Sequence, residues 1–385
     1  MDLEKKTIEL IKSFNIDFAL TLPCAKIKRL IYLAAESFTH IPLSREEEGI
    51  GIAAGIHLAG KRSILMIQSG GIGNSLNALL SLAMVYHIPI PIIISWRGIY
   101  KEGIEAQIPM GKYLPAILKA AKIPFVEIHK ATDVMQIEQA LKTCYEKSLP
   151  TAILISPEFW EKSKFKEEEP IIKSPFPERS IYFNIGLTEA ILSKPTLTRY
   201  QAIEILSGEI QDKIVISNIG IPSKELFDIL DQPSNFYMLG SFGMASAIGL
   251  GVALCTEKDV FVIDGDASLL TNPNILGTIS QVGDRCQNLT ILLMDNGTCG
   301  STGNQLTIAY KQVDLEFLAR VYGIKNTLKA DLPEEILRGL RTLPKGPRLL
   351  QIIVKPENAN VKNIPYTARQ IKERFQNALL FSANN

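Results

Sequence analysis

The segment VFVIDGDAS occupies residues 260–268, and LTILLMDNGT occupies residues 289–298. Each segment begins with a run of mostly β-branched and aliphatic residues and ends in a polar cluster. Such apolar runs, bounded by turn residues, predict two buried parallel strands. Open α/β sheets bind their ligands in the crevice outside the carboxyl ends of the strands. We therefore expect the polar clusters, Asp264–Ser268 and Asp295–Thr298, to lie side by side in a binding site.

The two clusters contain oxygen ligands of the kind that Mg²⁺ and Ca²⁺ prefer. Asp266 offers a carboxylate and Asn296 an amide oxygen, and diphosphate oxygens would complete the octahedron of a metal held by this pair. Taken singly, an Asp-Gly and an Asn-Gly dipeptide are ordinary turn formers. Their spacing, with 27 residues (268–294) between Ala267 and Asp295, and the strand predicted before each favour a metal and diphosphate site.

The composition is typical of a soluble globular protein with two domains. Hydrophobic residues make up 46% and charged residues 21% of the 385-residue chain, which exceeds the usual size of a single core. The 41 basic and 40 acidic residues nearly cancel, so we expect no nucleic-acid partner. The five cysteines are scattered without CxxC spacing, which is typical of reduced thiols and predicts a cytoplasmic protein.

The chain shows no sign of membrane association. It opens without the apolar region of a secretory signal. Its longest apolar stretch, at residues 83–96, is interrupted by His87, Pro89 and Pro91. A stretch of this length is too short to span a bilayer.

The two halves of the chain repeat one local order of elements. In the first half, a small-residue helix at Gly49–Gly60 precedes a strand at Ser63–Ile67 and a glycine turn at Gly70–Gly73. In the second half, a similar helix at Gly243–Cys255 precedes the first of the two strands above and its turn at Gly265. The repeat predicts two α/β domains of similar construction, each with a parallel sheet covered by helices on both faces. Further apolar runs predict strands at Asp17–Thr21, Pro91–Ser95, Thr151–Ile155, Ile214–Ser217 and Leu349–Val354.

Composition also places the domain boundaries. Residues 159–195 are rich in charge and proline and lack a sustained apolar period, which is typical of a linker. The predicted division is a first domain at residues 1–165, a linker at 166–196, a second domain at 197–365 and a C-terminal tail at 366–385, which we expect to form a polar helix with a loose end.

The spacing of the polar clusters resembles the thiamine-diphosphate motif, in which a Gly-Asp-Gly triplet is followed at a similar distance by an Asn pair. Gly265-Asp266-Ala267 fills the first part with Ala for the last Gly, and Asp295-Asn296 fills the second with Asp for the first Asn. The resemblance implies thiamine diphosphate as the cofactor and Mg²⁺ as its metal. It further implies Asp266 and Asn296 as side-chain ligands of the metal, with the carbonyl of Thr298 as a third.

Three consecutive glutamates, Glu46–Glu48, precede the first small-residue helix. As a charge run alone they indicate a solvated helix start, because acids are favoured at helix N-termini. In thiamine-diphosphate decarboxylases, the glutamate that activates the aminopyrimidine ring lies seven positions before a small-small-Gly triplet. Seven positions before Ala53-Ala54-Gly55 lies Glu46. The resemblance therefore implies Glu46, rather than Glu47 or Glu48, as the catalytic carboxylate.

Longer segments extend the likeness to the sulfopyruvate decarboxylase family. The first half resembles its α subunit and the second half its β subunit, so the chain is similar to a natural α–β fusion. The resemblance implies two doubly wound parallel-sheet domains of the thiamine-diphosphate-binding fold, one for the pyrimidine end and one for the pyrophosphate end of the cofactor. The resembling segments are Leu22–Ala25, Arg45–Gly49, Gln68–Asn77, Arg97–Tyr100, Glu105–Gly111, Ile216–Leu226, Asn235–Ser241 and Gly300–Gln305.

The activity that the resemblance implies is that of a lyase. It would convert 3-sulfopyruvate to sulfoacetaldehyde and CO₂ in coenzyme M biosynthesis. Phosphonopyruvate decarboxylase is similar in both halves, so that activity, or another thiamine-diphosphate-dependent 2-oxoacid decarboxylation, is the alternative. A catalytically silent cofactor-binding module is a second alternative, and the presence of Glu46, Asp266 and Asn296 argues against it. A nucleotide-dependent oxidoreductase is disfavoured because the chain lacks a GxGxxG fingerprint after a strand.

The family resemblance also implies which residues contact the cofactor. Phe242 takes the position of an apolar wedge that bends the cofactor, and the Gly240 carbonyl would accept a hydrogen bond from its 4′-amino group. The other implied cofactor residues are Asn218, Ser241, Gly265, Ala267 and Ser268.

The sulfonate of the implied substrate is a permanent anion, which favours a guanidinium or several N–H donors. Arg97, after the strand predicted at Pro91–Ser95, is the first candidate for this role. Gln68 and Asn74, at the two ends of the predicted glycine turn, are further substrate candidates. The alternative for Arg97 is a surface arginine in a solvated loop.

The class also implies an assembly. Its members bind the pyrimidine end of the cofactor on one subunit and the diphosphate end on another. We therefore expect that the two halves do not meet within one chain and that Glu46 and Asp266 of one chain are separated. The predicted assembly is a homodimer or homotetramer with active sites at subunit interfaces.

Overall fold

The computed structural model describes residues 2–161, 163 and 195–381, and in this part of the chain each half is built around one parallel sheet. The strands of the first sheet are continuous apolar runs in the centre and shorter, mixed runs at the edges. Side chains alternate between two cores, one shared with the second half and one covered by helices of the first half. The strands are β1 (Phe18–Thr21), β2 (Thr39–Pro42), β3 (Ser63–Gln68), β4 (Pro91–Ser95), β5 (Phe125–Ile128) and β6 (Thr151–Ile155).

The second sheet repeats the topology of the first. Its principal strands are β7 (Ile214–Ser217), β8 (Asn235–Tyr237), β9 (Val260–Gly265), β10 (Leu289–Asp295), β13 (Asn326–Ala330) and β14 (Arg348–Ile353), and a short antiparallel pair, β11 (Thr298–Cys299) and β12 (Gln305–Leu306), precedes β13. The first sheet has the order β2-β1-β3-β4-β6-β5, and the second has the order β8-β7-β9-β10-β14-β13. Numbered within each half, the two orders are the same.

Helices cover both faces of each sheet, as the alternation of apolar runs predicts. The first half contains α1 (Leu3–Lys12), α2 (Lys28–Ser37), α3 (Glu46–Leu58), α4 (Ser69–Ala78), α5 (Ile108–Ala120), α6 (Met135–Lys147) and α7 (Pro157–Trp160). The second contains α8 (Arg199–Ile210), α9 (Ile221–Ile229), α10 (Ala245–Ala253), α11 (Asp266–Thr271), α12 (Ile275–Gln281), α13 (Leu315–Val321), α14 (Pro333–Thr342) and α15 (Ala368–Phe381). This arrangement confirms the predicted class of two doubly wound parallel-sheet domains.

The predicted glycine turn at residues 70–73 is wrong, because helix α4 begins at Ser69, directly after β3. Glycine has a low intrinsic helix propensity, but tertiary packing overrides it here. A Cβ on Gly71 would lie 2.5 Å from Cγ of Glu46, so the small residues let α4 approach the start of α3. A π-helical turn at Leu79–Met84 continues the helix.

The two halves meet within one chain, which corrects the expectation that they do not. Helices α3 and α10, the two small-residue helices, pack against each other. Ideal Cβ atoms on Gly55 and Gly251 would lie 2.1 Å and 2.2 Å from backbone carbonyl oxygens of the opposite helix. Only glycine permits this approach. The hydroxyl of Tyr86 donates to the Tyr237 carbonyl over 2.8 Å and adds a polar contact between the halves.

The C-terminal helix is more closely attached than the predicted tail. Ile371 and Phe375 of α15 are buried in the common core. Lys372 donates to the carbonyl of His87, and Gln376 donates to that of His57, so α15 also ties the second half to the first.

Most of the predicted linker cannot be compared with the structure, since residues 166–194 lie outside the described part. The residue ranges proposed for the domains therefore remain predictions. No helix in the described ranges has the length and hydropathy of a transmembrane span.

Candidate active site

A cavity of about 330 Å³ lies at the carboxyl ends of β7, β9 and β10. Parallel strands of similar construction all end at this edge, which is where open α/β sheets bind ligands. Both polar clusters of the sequence therefore reach one site. Eight of the ten cofactor and metal residues predicted in the second half line it: Asn218, Phe242, Gly265, Asp266, Ala267, Ser268, Asn296 and Thr298.

Asp266 is the first residue of α11 and is buried beside the cavity. The hydroxyl of Thr307 donates to its Oδ2 over 2.5 Å. Burial, and then the negative charge of nearby Asp295, raise the pKa of Asp266 to about 7. Two buried acids this close together disfavour ionisation unless a cation joins them. The surroundings of Asp266 therefore suit a bound cation.

Asn296 and Thr298 line the cavity from the turn after β10 and from the start of β11. Gly297 has φ = +66° and permits the sharp bend there. The backbone N–H of Thr298 donates to Oδ1 of Asn296 over 3.1 Å, which holds the amide in place. An amide oxygen has a second lone pair, so it retains the capacity to bind a metal.

The donor set fits a hard divalent cation that shares its shell with a ligand. In the described ranges, no three His, Cys, Asp or Glu side chains form a metal-binding group. One carboxylate, one amide and one backbone carbonyl leave half of an octahedron to oxygens from elsewhere. Asp266, Asn296 and Thr298 thus match a metal that is completed by diphosphate oxygens.

Open space beside two glycines fits the diphosphate. An ideal Cβ on Gly265 would come no closer than 3.6 Å to any non-neighbouring atom, and one on Gly220 would meet nothing within 4 Å. Both glycines line the cavity, so side chains at these positions would occupy ligand space rather than protein. Ser268 is fixed nearby, since its Oγ accepts from the backbone N–H of Gly243 over 3.2 Å.

Gly240 and Ser241 do not line the cavity, but they hold Phe242 at its edge. Ser241 has φ = +61°, and its Oγ lies 2.7 Å from Oγ of Ser81 in the first half. A Cβ on Gly240 would lie 2.6 Å from the Ser81 carbonyl oxygen. Phe242 is 40% exposed. An aromatic ring left this open beside a cavity is suited to contact with a ligand.

Glu46 is buried at the start of α3 in the first half. The side-chain amide of Asn74 donates to its Oε2 over 3.0 Å. Its two neighbours have other partners: Glu47 pairs with Arg45 at 3.2 Å, and Glu48 accepts the hydroxyl of Thr278 over 2.8 Å. Burial raises the pKa of both neighbours.

Arg97 is buried, which excludes the alternative of a surface arginine. Its Nε and Nη2 donate to the two carboxylate oxygens of Glu102 over 2.6 Å and 2.8 Å. This hydrogen-bonded ion pair lowers the pKa of Glu102 to about 2. Ser69 hydrogen-bonds the backbone of Arg97 and joins it to the end of β3, next to Gln68.

The structure does not bring the residues of the two halves into one cavity. The described lining residues all belong to 199–358, and neither Glu46 nor the substrate candidates Gln68, Asn74 and Arg97 are among them. Asn74 instead contacts Glu46.

Sequence reasoning missed several residues of the cavity, among them Arg199 and Asn358, and one residue next to it. Arg199 and Asn358 line the cavity, and Thr307 donates to Asp266. None of them belongs to the predicted clusters. Only the pattern of donors around Asp266 and the cavity reveals them.

Models of thiamine pyrophosphate enzymes match both halves of the chain. The N-terminal TPP binding domain matches residues 1–120, and the C-terminal TPP binding domain matches residues 220–352. The sulfopyruvate decarboxylase of Methanosarcina acetivorans is 43% identical over 98% of this chain and 97% of that protein. The chain belongs to the sulfopyruvate decarboxylase family. This confirms the predicted family and thiamine diphosphate as its cofactor.

Other relatives of the sulfopyruvate decarboxylase family place the two halves in separate chains. The β subunit of Methanococcus maripaludis is 42% identical over 48% of this chain and 98% of that subunit. The α subunit of the same organism is 39% identical over 43% of this chain and 100% of that subunit. The present chain joins both parts. The phosphonopyruvate decarboxylase of Streptomyces viridochromogenes is 31% identical over 92% of this chain and 89% of its own.

A solved structure supports the fold. The benzoylformate decarboxylase of Polynucleobacter necessarius has a TM-score of 0.70 at 14% identity and covers 93% of this chain and all of that one. At this identity the likeness concerns the fold alone.

Proposed function

We propose that this protein decarboxylates 3-sulfopyruvate to sulfoacetaldehyde and CO₂ with thiamine diphosphate and Mg²⁺. The observation that carries the proposal is the buried oxygen set of Asp266, Asn296 and Thr298 beside a glycine-lined cavity. The relationship to sulfopyruvate decarboxylase over nearly the whole chain supports the choice of substrate.

The residues of the second half would hold the metal and the diphosphate. Asp266 and Asn296 would supply side-chain oxygens and Thr298 its carbonyl, while Gly220 and Gly265 leave room for phosphate oxygens. When bound, thiamine diphosphate supplies the electron sink for loss of CO₂ from a 2-oxoacid. Phe242 would contact the cofactor from the edge of the cavity.

Glu46 would exchange a proton with the pyrimidine ring. The Asn74 amide occupies its Oε2, and among the described residues no hydrogen bond is formed at Oε1. A buried carboxylate with one restrained oxygen is suited to hold or release a proton at the other. Glu47 and Glu48 are less suited because each has an ion pair or interdomain hydrogen bond.

The first half would hold the sulfonate, with Gln68, Asn74 and Arg97 as candidates. Arg97 and Glu102 together carry no net charge, so Arg97 would contribute hydrogen bonds more than charge. A neutral pair of this kind favours the monoanionic sulfonate over the more highly charged phosphonate. Phosphonopyruvate decarboxylation is nevertheless the second candidate, because that relative also matches nearly the full chain.

We also propose a homodimer or homotetramer. Glu46 and the cavity around Asp266 belong to different halves, and the described lining of the cavity comes from residues 199–358. Several large apolar side chains that follow the metal turn are exposed, with Leu306 at 66%, Ile308 at 55% and Tyr310 at 53%. The first half of a second copy would cover these side chains and place its own Glu46 at the cavity. Light scattering combined with activity on dilution tests this assembly, and full activity in an isolated monomer would exclude it.

One assay tests the activity directly. The purified protein with Mg²⁺ and thiamine diphosphate is offered 3-sulfopyruvate, phosphonopyruvate and pyruvate separately, and CO₂ is measured. We expect the highest kcat/KM for sulfopyruvate and loss of turnover when Mg²⁺ is chelated. A higher kcat/KM for phosphonopyruvate would favour the second candidate. No CO₂ from any of the three would refute the proposed function.

A further inference from the structure

Arg199 has an unusual place in the candidate active site. Among the described residues that line the cavity, Arg199 is the one with a cationic side chain, and Asp266 is the one with an anionic side chain. Arg199 is only 6% exposed, so its guanidinium lies within the protein and has limited access to solvent.

The Arg199 guanidinium is held on one side by a fixed set of acceptors. Nε donates to Oε2 of Glu225 over 2.6 Å, and Nη2 donates to Oε1 of Glu225 over 3.1 Å and to Oδ1 of Asn358 over 2.9 Å. Glu225 is fully buried and also accepts the backbone N–H of Ala359. Asn358 in turn donates to the carbonyl of Gly300, which itself lines the cavity. The guanidinium is therefore preorganised.

The remaining nitrogen, Nη1, forms no hydrogen bond with any residue of the described ranges. An ion pair that served only to join α8 to α9 would need no more than Nε and Nη2. Nη1 is not one of the buried polar atoms that lack a partner, so it is accessible on a residue that lines the cavity. A planar guanidinium with two free N–H groups matches phosphate and sulfonate oxygens.

We propose that Arg199 is an oxyanion-binding residue of this cavity, with Nη1 donating to a tetrahedral phosphate or sulfonate group. The inference rests on the proposed function, because the ligand is either the diphosphate of the cofactor or the sulfonate of the substrate. Glu225 and Asn358 are positioning residues that direct the guanidinium.

Two variants test the role of Arg199. Arg199→Lys keeps the positive charge beside Glu225. The lysine ammonium would stay with that carboxylate and would leave no pair of N–H donors for a ligand. The double variant Arg199→Met with Glu225→Leu removes the buried pair together, which avoids an uncompensated charge and often preserves folding. The matched control is Arg348→Lys. Arg348 is a partly buried arginine at the start of β14, at the edge of the sheet opposite the cavity, and it donates to the hydroxyl of Thr290 in β10. Thermal unfolding establishes that each variant is folded.

Binding of thiamine diphosphate with Mg²⁺ is measured by calorimetry, and KM is measured for sulfopyruvate and for pyruvate. If the ligand is the diphosphate, both variants bind the cofactor about tenfold or more weakly, while binding of thiamine without phosphates is unchanged. If the ligand is the sulfonate, cofactor binding is retained, and KM rises about tenfold for sulfopyruvate but not for pyruvate. The Arg348 control changes neither quantity.

Folded variants of Arg199 that match the wild type in cofactor affinity and in both KM values would overturn the inference. Wild-type protein that binds neither thiamine diphosphate nor sulfopyruvate would instead contradict the proposed function. In that case inorganic pyrophosphate with Mg²⁺ is the probe, and equal binding by the wild type and both variants would overturn the role of Arg199 as well.

Discussion

The side-chain amide of Asn74 donates a hydrogen bond to Oε2 of Glu46 over 3.0 Å. Asn74 is exposed on α4, and Glu46 is buried at the start of α3. The bond exists because Gly71, on the same helix as Asn74, leaves space for the Glu46 side chain. An exposed donor thus fixes the orientation of a buried acid that we assign to catalysis.

We expect Asn74→Ala to lower kcat about tenfold, because the variant releases Glu46 without removing it. A rise in KM for sulfopyruvate beside the fall in kcat would show that Asn74 also contacts the sulfonate. The free energy of unfolding should change little, since Asn74 is exposed. The control is Asn77→Ala, because Asn77 makes the corresponding hydrogen bond to Glu47. Steady-state kinetics with sulfopyruvate compare the two, and equal effects in both variants would assign Asn74 a structural role only.

Substitution of neighbouring glutamates distinguishes their roles. Glu46→Gln should reduce kcat by about 100-fold or more, because the amide cannot exchange the proton that a general acid–base group provides. Glu47→Gln weakens the pair with Arg45, whose side chain is 40% exposed, and the hydrogen bond from Asn77. Its kcat should stay within about threefold of the wild-type value. Measurement of kcat at saturating cofactor tests the Glu46 and Glu47 variants. Full turnover of the Glu46 variant would remove the assignment of this carboxylate.

Asp266→Asn should weaken the joint binding of Mg²⁺ and thiamine diphosphate. In the wild type, ligands at about 100 times their dissociation constant should add about 2.7 kcal/mol to the free energy of unfolding. The variant should lose most of this gain, because an amide is a poorer ligand than a carboxylate. Asp284→Asn, on an exposed 3₁₀ turn, is the control. Thermal unfolding with and without both ligands measures the effect, and an undiminished gain in the Asp266 variant would exclude Asp266 as a metal ligand.

The central strands and the second-half site could be predicted because their signals are local. β4 and β6 are buried on both faces, so each is a continuous apolar run with the predicted bounds. β2 and β5 are edge strands with mixed burial and carry no comparable pattern. Residues at the ends of β9 and β10 meet because the two strands are parallel neighbours and end at the same edge of the sheet. Two consecutive apolar runs, each followed by a polar cluster, already predict this arrangement.

Contacts between distant segments could not be predicted in the same way. Arg199 is held beside the cavity by hydrogen bonds to Glu225 and Asn358, which are distant in sequence. It belongs to no recognisable motif. The start of α4 at Ser69 depends on packing against α3, against the helix propensity of its glycines. The contact between the halves depends on Gly55 facing Gly251, and each helix taken alone is compatible with packing on a sheet.

Gly55→Ala should destabilise the protein strongly, because the new Cβ would overlap the carbonyl oxygen of Ile248 and force α3 and α10 apart. We expect a loss of about 3 kcal/mol in the free energy of unfolding, as in severe overpacking of a core. Gly208→Ala is the matched control, because a Cβ there meets nothing within 4 Å on helix α8. It should stabilise the protein by about 0.5–1 kcal/mol. Urea denaturation compares the two, and similar midpoints would mean that the helices tolerate a wider separation.

The buried position of His57 should make the free energy of unfolding depend on pH. It lies in the last turn of α3, and burial, followed by the positive charges of Lys372 and Arg62, lowers its pKa to about 4. Since the unfolded chain has a histidine pKa near 6.5, the unfolded state binds a proton between these values that the folded state does not. This contribution therefore makes the free energy of unfolding fall as pH decreases through that window, by up to about 2 kcal/mol between pH 7 and pH 5.

His57→Gln removes this titration, so its free energy of unfolding should fall less than that of the wild type between the same two pH values. His129→Gln is the control for the histidine-to-glutamine change itself, because the His129 side chain is 42% exposed. Urea denaturation at pH 7 and pH 5 measures the difference. An equal decline in the wild type and the His57 variant would show that folding does not lower the pKa of His57 and that other groups cause the acid sensitivity.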